Sequence, residues 1–552
     1  MVRGGCPGPG GPQQPDLARR TVLSAAGVAV AGMVLSGCTT SPEAASGGTS
    51  TMLPSDLTTA IEQREAARPH TGRTRRYTLA AQRTRIDLGG PVVATLAYGD
   101  AVPGPTIRAS VGDQLAVTVR NGLGQATSVH WHGIALRNDM DGAPPATANI
   151  AAGAAFTYRF SVPDPGTYWA HPHVGIGMTD HGLYLPVIVD DPSEPGDHDE
   201  EWVVVLDDWT DGVGPSPAQV FDTLRQGGGM SGMGGMGMGG MGMGGTEHRG
   251  MGSTGHGSPG PGGTGPDGMA GMPGMGAAGA GSDLLGGDAG DVSYPYYLVN
   301  GRIPAAPTTF RARPGQRIRI RVVNAGADTA FRVALAGHSM TVTHTDGYPV
   351  QPRQVDALLL GMGERYDVTV TAGDGVFPLV AAPEGKAGTA ARALLRTGAG
   401  QVPAESLRPA ELDGRVGTVE VFTADEAVAL PRRDVDRTLP AVLGGDMTSY
   451  RWTINGRAFD RMQPLGISQG QRARLGFTNH TMMWHPMHLH GHTFQVARAD
   501  GRPGPRKDTV VVLPMRSVAV EVQADNPGYW MLHCHNGYHM DAGMMTRLDY
   551  RA

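Results

Sequence analysis

Three short segments of this chain carry the same alternation of apolar and polar positions. Gly112 is followed by Leu115, Val117 and Val119 and then Asn121; Gly315 by Ile318, Ile320 and Val322 and then Asn324; Gly470 by Ala473, Leu475 and Phe477 and then Asn479. Side chains alternate across a β-strand, so each run predicts a half-buried strand bounded by turn residues. The glycine-to-asparagine spacing is nine in all three, and self-similarity at this level marks an internal repeat. The expectation is an all-β chain of three related β-sandwich domains.

The residues beyond each repeat differ. Nine residues past Asn121 stands His130, then His132; nine past Asn479 stands His488, then His490; nine past Asn324 there is no histidine. Gly166-Thr-Tyr-Trp-Ala leads into His171-Pro-His173, and Gly528-Tyr-Trp-Met-Leu leads into His533-Cys534-His535. Domains one and three therefore carry matching histidine pairs, and domain two reads as a spacer. A metal site shared across the interface of domains one and three is expected from that pairing.

Two stretches break the strand pattern. Between about 226 and 292 the composition collapses to Gly, Met, Pro and Ser, with ten methionines from Met230 to Met275. Too few large apolar groups remain there to bury a core, so a disordered insertion within domain two is expected. At the other end, Arg19-Arg20 precedes an apolar run from Val22 to Leu35 that closes on Leu35-Ser-Gly-Cys38. Twin arginines before such a run read as a twin-arginine export signal, and the closing box resembles a lipoprotein cleavage site with lipid on Cys38. The alternative is an ordinary signal peptide with a chance cysteine. No later run is long enough for a membrane-spanning helix. The protein is expected outside the cytoplasm, tied to the membrane only through Cys38, and monomeric.

Composition narrows the chemistry. The 552 residues suffice for several domains, and a net charge of −6 leaves no basic footprint for nucleic acid. Of three cysteines, Cys6 and Cys38 fall in the leader, which leaves Cys534 as the single thiol of the mature body. It stands between two histidines, with His539 and Met544 beyond it. A thiolate, imidazole and a distant thioether make the ligand set of a blue copper electron-transfer site. Alternation aims Cys534 to one side of its strand and His533 and His535 to the other, so two metal sites would lie one residue apart. Four His-x-His pairs, at 130/132, 171/173, 488/490 and 533/535, exceed any mononuclear shell and call for a cluster.

Taken together, His130-Trp-His132-Gly, His171-Pro-His173, His485-Pro-Met-His488-Leu-His490-Gly-His492, and His533-Cys534-His535 with His539 and Met544 resemble the three-domain multicopper oxidases, a family that includes laccases and bacterial cuprous oxidases. The resemblance covers about 75 to 552, and Gly363-Glu-Arg-Tyr-Asp367 looks like the family's second domain. It implies three cupredoxin-like Greek-key sandwiches and four coppers. His485, Cys534, His539 and axial Met544 would hold type 1 copper, and His130 and His488 type 2. His132, His171, His173, His490, His533 and His535 would hold the type 3 pair, while His492 falls outside the set. Electrons from a reductant would cross Cys534 to His533 and His535, and O2 would become water. Asp141, eleven residues past His130, matches an acid the family places near the cluster; otherwise it is a turn residue in Asn138-Asp-Met-Asp-Gly142. Met540 stands where many bacterial relatives carry a glutamate, with Asp541 beside it.

The implied boundaries are 1–38 for the export signal, 39–72 for a flexible spacer, and 73–195, 196–400 and 401–552 for the three domains. Cu(I) is the first candidate reductant, because soft thioethers select it. Met482 and Met483 precede His485, although Thr481 replaces the aspartate of cuprous oxidases. The alternatives are laccase-like oxidation of phenols or aromatic amines, and non-enzymatic copper sequestration.

Overall fold

The structure, a computed structural model, describes residues 53–194, 197–227 and 281–551. The export signal, Cys38 and residues 228–280 of the Gly/Met-rich stretch lie outside the described residues. Six sheets fall into three pairs, spanning strands Thr74–Asp87 to Leu185–Asp190, Glu200–Trp209 to Val416–Gly417, and Arg437–Asp446 to Met545–Arg551. These are the three expected β-sandwiches.

The repeated motif builds the same interior strand three times. Gln114–Asn121, Arg317–Asn324 and Arg472–Asn479 each lie parallel to one neighbour and antiparallel to the other. Gly112, Gly315 and Gly470 start the motif with φ of +79°, +84° and +86°, a left-handed turn that suits glycine. The asparagines close it. Each side-chain carbonyl accepts from the N–H two residues on, at Leu123, Gly326 and Thr481. Each side-chain amide donates across the sandwich, to Ile150, Leu360 and Val512 respectively. The motif thus stitches the loop after the strand to the opposite sheet, and in domains one and three that loop leads to the histidines.

Domain two departs from the half-buried expectation. Arg319 and Arg321, on the polar face of its repeat strand, are buried. Their guanidiniums donate to Asp367 at 2.7 and 2.8 Å, and Arg321 also reaches Thr167 of domain one at 2.9 Å. The polar face is an interdomain face. In domain one the core centres on Trp131, fully enclosed edge-to-face by Tyr158 and Phe160, a burial that stabilises by about 2–3 kcal/mol per large side chain.

Two expectations need correction. Within the supposed spacer 39–72, Ser55–Ala66 is a helix. Ile61 is buried, and Arg68, just past the helix, reaches Asn526 of domain three at 2.9 Å. The insertion also ends before 292: Leu285 is fully buried, Asp288 accepts from Trp484 N at 3.3 Å, and Asp291 accepts from the Tyr450 hydroxyl at 2.6 Å. Hydrogen-bonding carboxylates and a buried leucine anchor a stretch whose composition reads as unstructured. Among the described residues no helix is long and apolar enough to cross a membrane.

Candidate metal centres

Strands His485–Leu489 and Tyr529–Cys534 pair antiparallel, with Met487 opposite Cys534 and His488 opposite His533. After Cys534 the chain turns into the short helix Gly537–Asp541, capped by Asn536, whose side-chain oxygen accepts from Tyr538 N and His539 N. That turn returns His539 towards the thiol. Cys534 Sγ lies 3.6 Å from His485 Nδ1 and 3.8 Å from His539 Nδ1, and the two Nδ1 atoms are 3.1 Å apart. Both rings are fixed from behind. His485 Nε2 donates to Thr481 Oγ1 at 2.8 Å, whose own proton goes to Asn479 or the Met483 carbonyl. His539 Nε2 donates to Asp291 at 3.0 Å. Outer partners of this kind set the tautomer and leave the facing nitrogen for a metal. Met544 is fully buried, and its backbone bonds to both Cys534 and His539. Burial opposes a charge on His539, but its hydrogen bonds to Asp291 and Cys534 outweigh it and lift the group to about 10, whereas burial and His539 push His485 well below the ordinary range.

On the other face of the Cys534 strand, eight buried imidazoles from domains one and three converge. His173, His490 and His533 form one trio whose ligand atoms lie within 4.8 Å of one another. His132, His171 and His535 gather beside it, with ring centroids 4.9–5.8 Å apart. His130 Nε2 faces His488 Nε2 at 3.4 Å. Five rings are held through Nδ1: His130, His171, His488 and His533 donate to the carbonyls of Asp141, Pro172, Asp508 and Cys534, and His490 donates to the Asp141 carboxylate at 2.9 Å. Their Nε2 lone pairs therefore point inward, and His490 and His533 oppose each other at 3.0 Å. His132 Nδ1, His171 Nε2 and both ring nitrogens of His535 have no partner at all. Buried lone pairs aimed at one another are costly unless a cation takes them. Burial and neighbouring imidazoles push His132, His171, His490, His533 and His535 well below their ordinary range and His173 to about 3, so all are neutral ligands at pH 7. The donor set fits copper.

Every histidine singled out in the sequence reaches one of these two sites except His492, which sits aside with Nε2 at 2.8 Å from the Tyr550 hydroxyl. Asp141 is buried against His130 and His490. Asp541 lies instead against the Gly175 turn, and burial raises its carboxyl. Three further residues support the cluster: Gly363 and Arg365, inside the Gly363-Glu-Arg-Tyr-Asp367 segment, and Asp508, which carries little local sign of a role. Asp508 receives a hydrogen bond from His132 Nε2 at 3.1 Å. Arg365 of domain two grips Asp508 with both Nη atoms at 2.7 Å. Gly363 leaves no room for a Cβ, which would lie 2.9 Å from His132 Cε1 and 3.0 Å from His535 Cδ2. Domain two is more than a spacer: it walls the cluster. Burial alone would raise Asp508, but Arg365, His132 and His488 hold its carboxyl well below the usual range. The one signal in the sequence is a charged Lys507-Asp508 pair running directly into the apolar Val510-Val-Val512.

Three multicopper oxidase domain profiles match residues 80–194, 279–400 and 433–552. The multicopper oxidase MmcO of Mycobacterium tuberculosis is 57% identical over 532 residues, covering 96% of each chain. Copper resistance protein A of Escherichia coli is 27% identical over 580 residues, covering 86% of this chain and 92% of that protein. Laccase-2 of Botryotinia fuckeliana is 27% identical over 540 residues, covering 86% and 82%. Among solved structures, the laccase from Botrytis aclada matches the fold with a TM-score of 0.64 at 24% identity, covering 89% of this chain and 90% of that one.

Proposed function

This chain belongs to the multicopper oxidase family and is an oxidoreductase, and from that premise we propose that it oxidises Cu(I) in the service of copper tolerance. In this reading His485, Cys534 and His539, with Met544, would hold type 1 copper, and His130 and His488 would hold type 2. His132, His171 and His535 would hold one type 3 copper, and His173, His490 and His533 the other. The four coppers of the family supply one-electron oxidation of the reductant and four-electron reduction of dioxygen to water. Cys534 is covalently continuous with His533 and His535, so one strand spans both ends of that traffic. Asp141, bonded to His490 and beside His130, is placed to hold a proton at the cluster.

The observation that carries the choice of Cu(I) is the cover over the Cys534 site. His485 and His539 are fully buried. Trp452 lies 4.2 Å from the His539 ring and 5.3 Å from the His485 ring, and Tyr450 and Asp291 stand against His539 on other sides. No imidazole edge is left for a phenol to contact. Met482, three residues before His485, and Met515 are 71% and 63% exposed, on two loops joined through Asn479. Exposed thioethers at that position suit a soft monovalent ion. The copper resistance proteins among the relatives are consistent with this reading.

The test compares Cu(I) and phenol turnover in the intact chain, in Met482→Leu with Met515→Leu, and after deletion of residues 228–275. Loss of Cu(I) turnover in the altered chains is expected, with phenol turnover low in all of them. Cu(I) turnover unmoved by both changes, alongside efficient phenol oxidation, would replace the reading by the laccase-like one. Export by the twin-arginine route with lipid on Cys38 belongs to the same proposal, and is tested by fatty-acid labelling of wild type against Cys38→Ala.

A further inference from the structure

Domain two contributes no metal ligand, yet it reaches the cluster with one charge. We infer that Arg365 is a positioning residue for the oxygen-reducing cluster, acting through Asp508 to present the His132 ring. This rests on the reading of the eight-histidine cluster as that centre.

His132 is held differently from most of the cluster rings. Five others are held through Nδ1, four of them by main-chain carbonyls that cannot rotate away. His132 is held through Nε2, by Asp508 Oδ1 at 3.1 Å and Thr509 Oγ1 at 3.2 Å. Its Nδ1 is the nitrogen left without a partner. Presentation of that atom depends on two side chains, and Thr509 Oγ1 is itself bonded to Asp508 Oδ1 at 2.9 Å. Whatever orients Asp508 therefore orients His132.

Arg365 does so in a way a point charge would not. Its two Nη atoms take the two carboxylate oxygens at 2.7 Å each, a fork that fixes the carboxylate plane. The guanidinium is itself seated by Nε donating to Thr167 O at 3.0 Å and Nη1 donating to Gly363 O at 3.1 Å, with the Tyr168 ring 5.7 Å from its carbon. Thr167 belongs to domain one, Arg365 to domain two and Asp508 to domain three. The clamp closes all three domains on His132, and the same Asp508 Oδ1 also lies 3.4 Å from His488 Nδ1. Gly133, immediately after His132, has no room for a Cβ, which would lie 2.3 Å from Arg365 Nη2 and 2.6 Å from Asp508 Oδ2. By contrast, the Cys534 trio lies across the strand and owes nothing to Arg365.

The experiment uses the full chain, wild type and the variants Arg365→Lys, Arg365→Met and Asp508→Asn. Three readouts apply: copper per chain, the visible band of the Cys534 site against the near-ultraviolet band of the coupled copper pair, and the ¹⁵N signature of His132 in metal-free protein. Each variant is expected to keep the visible band, to lose the near-ultraviolet band with about one of four coppers, and to lose the Nε2-protonated His132 signal. Arg365→Lys retains the charge without the fork, so it carries the test if Arg365→Met does not fold. Variants that load and absorb as wild type, with the His132 signal unchanged, would overturn the inference. A wild type that itself binds only one copper would instead overturn the reading of the cluster.

Discussion

Gly363→Ala tests whether domain two is packed against the cluster or merely near it. Gly363 has φ +84°, and a Cβ there would lie 2.9 Å from His132 Cε1 and 3.0 and 3.1 Å from His535 Cδ2 and Cγ. Neither ring has room to swing away: His132 is tied to Asp508, and the His535 ring is packed against His132, Trp169 and His171. Two costs combine. Left-handed backbone with a side chain costs about 1–2 kcal/mol, and overpacking a rigid site about 1–3 kcal/mol. Stiffening of the unfolded chain returns roughly 0.4–1 kcal/mol, which leaves a net loss of about 1–5 kcal/mol. The control is Gly315→Ala, which shares φ +84° but has nothing within 4 Å of its Cβ. It bears the backbone cost alone, so the difference between the two variants isolates the collision. A chain of three domains need not melt in one step. The assay is therefore the first thermal transition of the metal-free proteins, read with copper uptake. Gly363→Ala should melt clearly below Gly315→Ala and load the cluster poorly while keeping the Cys534-site colour. Equal melting and equal loading would refute the packing argument.

Asp141→Asn keeps the shape around His130 and His490 but removes a proton carrier; oxygen uptake should fall by about 10²-fold or more with copper content unchanged, and uptake within twofold of wild type would remove Asp141 from the chemistry. Cys534→Ser should abolish the visible band and reductant-driven oxygen uptake while the eight cluster histidines still bind copper, as metal analysis would report. The metal-free protein should be acid-labile. Burial holds His173 at about 3, against 6.5 for the ordinary group, and lowers His132, His171, His485, His488, His490, His533 and His535 as well. Between the two values the unfolded chain binds more protons, so each group's stabilisation is whole above pH 6.5 and drains as pH falls, at about 1.4 kcal/mol per unit. Unfolding midpoints of metal-free protein that stay flat from pH 7 to 5 would contradict this.

The ligands were legible because their chemistry is written locally. Histidine at i and i+2 on a strand aims both rings to one face, and the repeat put His130 and His488 at the same distance from Asn121 and Asn479. The supporting charges were not legible, because each sits in one domain and acts in another. Arg365 meets Asp508 from 143 residues away, and Asp508 meets His132 from 376. Arg365 opens the strand Arg365–Thr371 and Asp508 falls between the strands Pro503–Lys507 and Thr509–Val512, and neither position says what the side chain meets. Arg319 and Arg321 misled for the same reason, since period-2 alternation gives the face of a strand but not what covers that face. The helix Ser55–Ala66 has little amphipathic pattern, and its place comes from Arg68 meeting Asn526. Asp291 closes a glycine-rich run in which no local feature distinguishes it, yet it orients His539.

The same contacts divide labour between the two acids at the cluster. Asp508 has both oxygens taken by Arg365, and together with His132 and His488 that guanidinium keeps it ionised. A carboxylate so held is a fixed anion that aims imidazoles and balances charge, and it is a poor proton carrier. Asp141 pairs with no arginine or lysine among the described residues, and its Oδ1 has no hydrogen-bond partner, lying 3.2 Å from His130 Nδ1. It touches a histidine from each half of the cluster, so a proton there can be given up without breaking an ion pair. Asp141→Asn and Asp508→Asn should therefore fail differently. The first should lower turnover and change its pH profile with copper content intact. The second should lose copper and leave the profile of the remaining loaded enzyme as in wild type. A displaced profile in Asp508→Asn, with Asp141→Asn unaffected, would reverse the assignment.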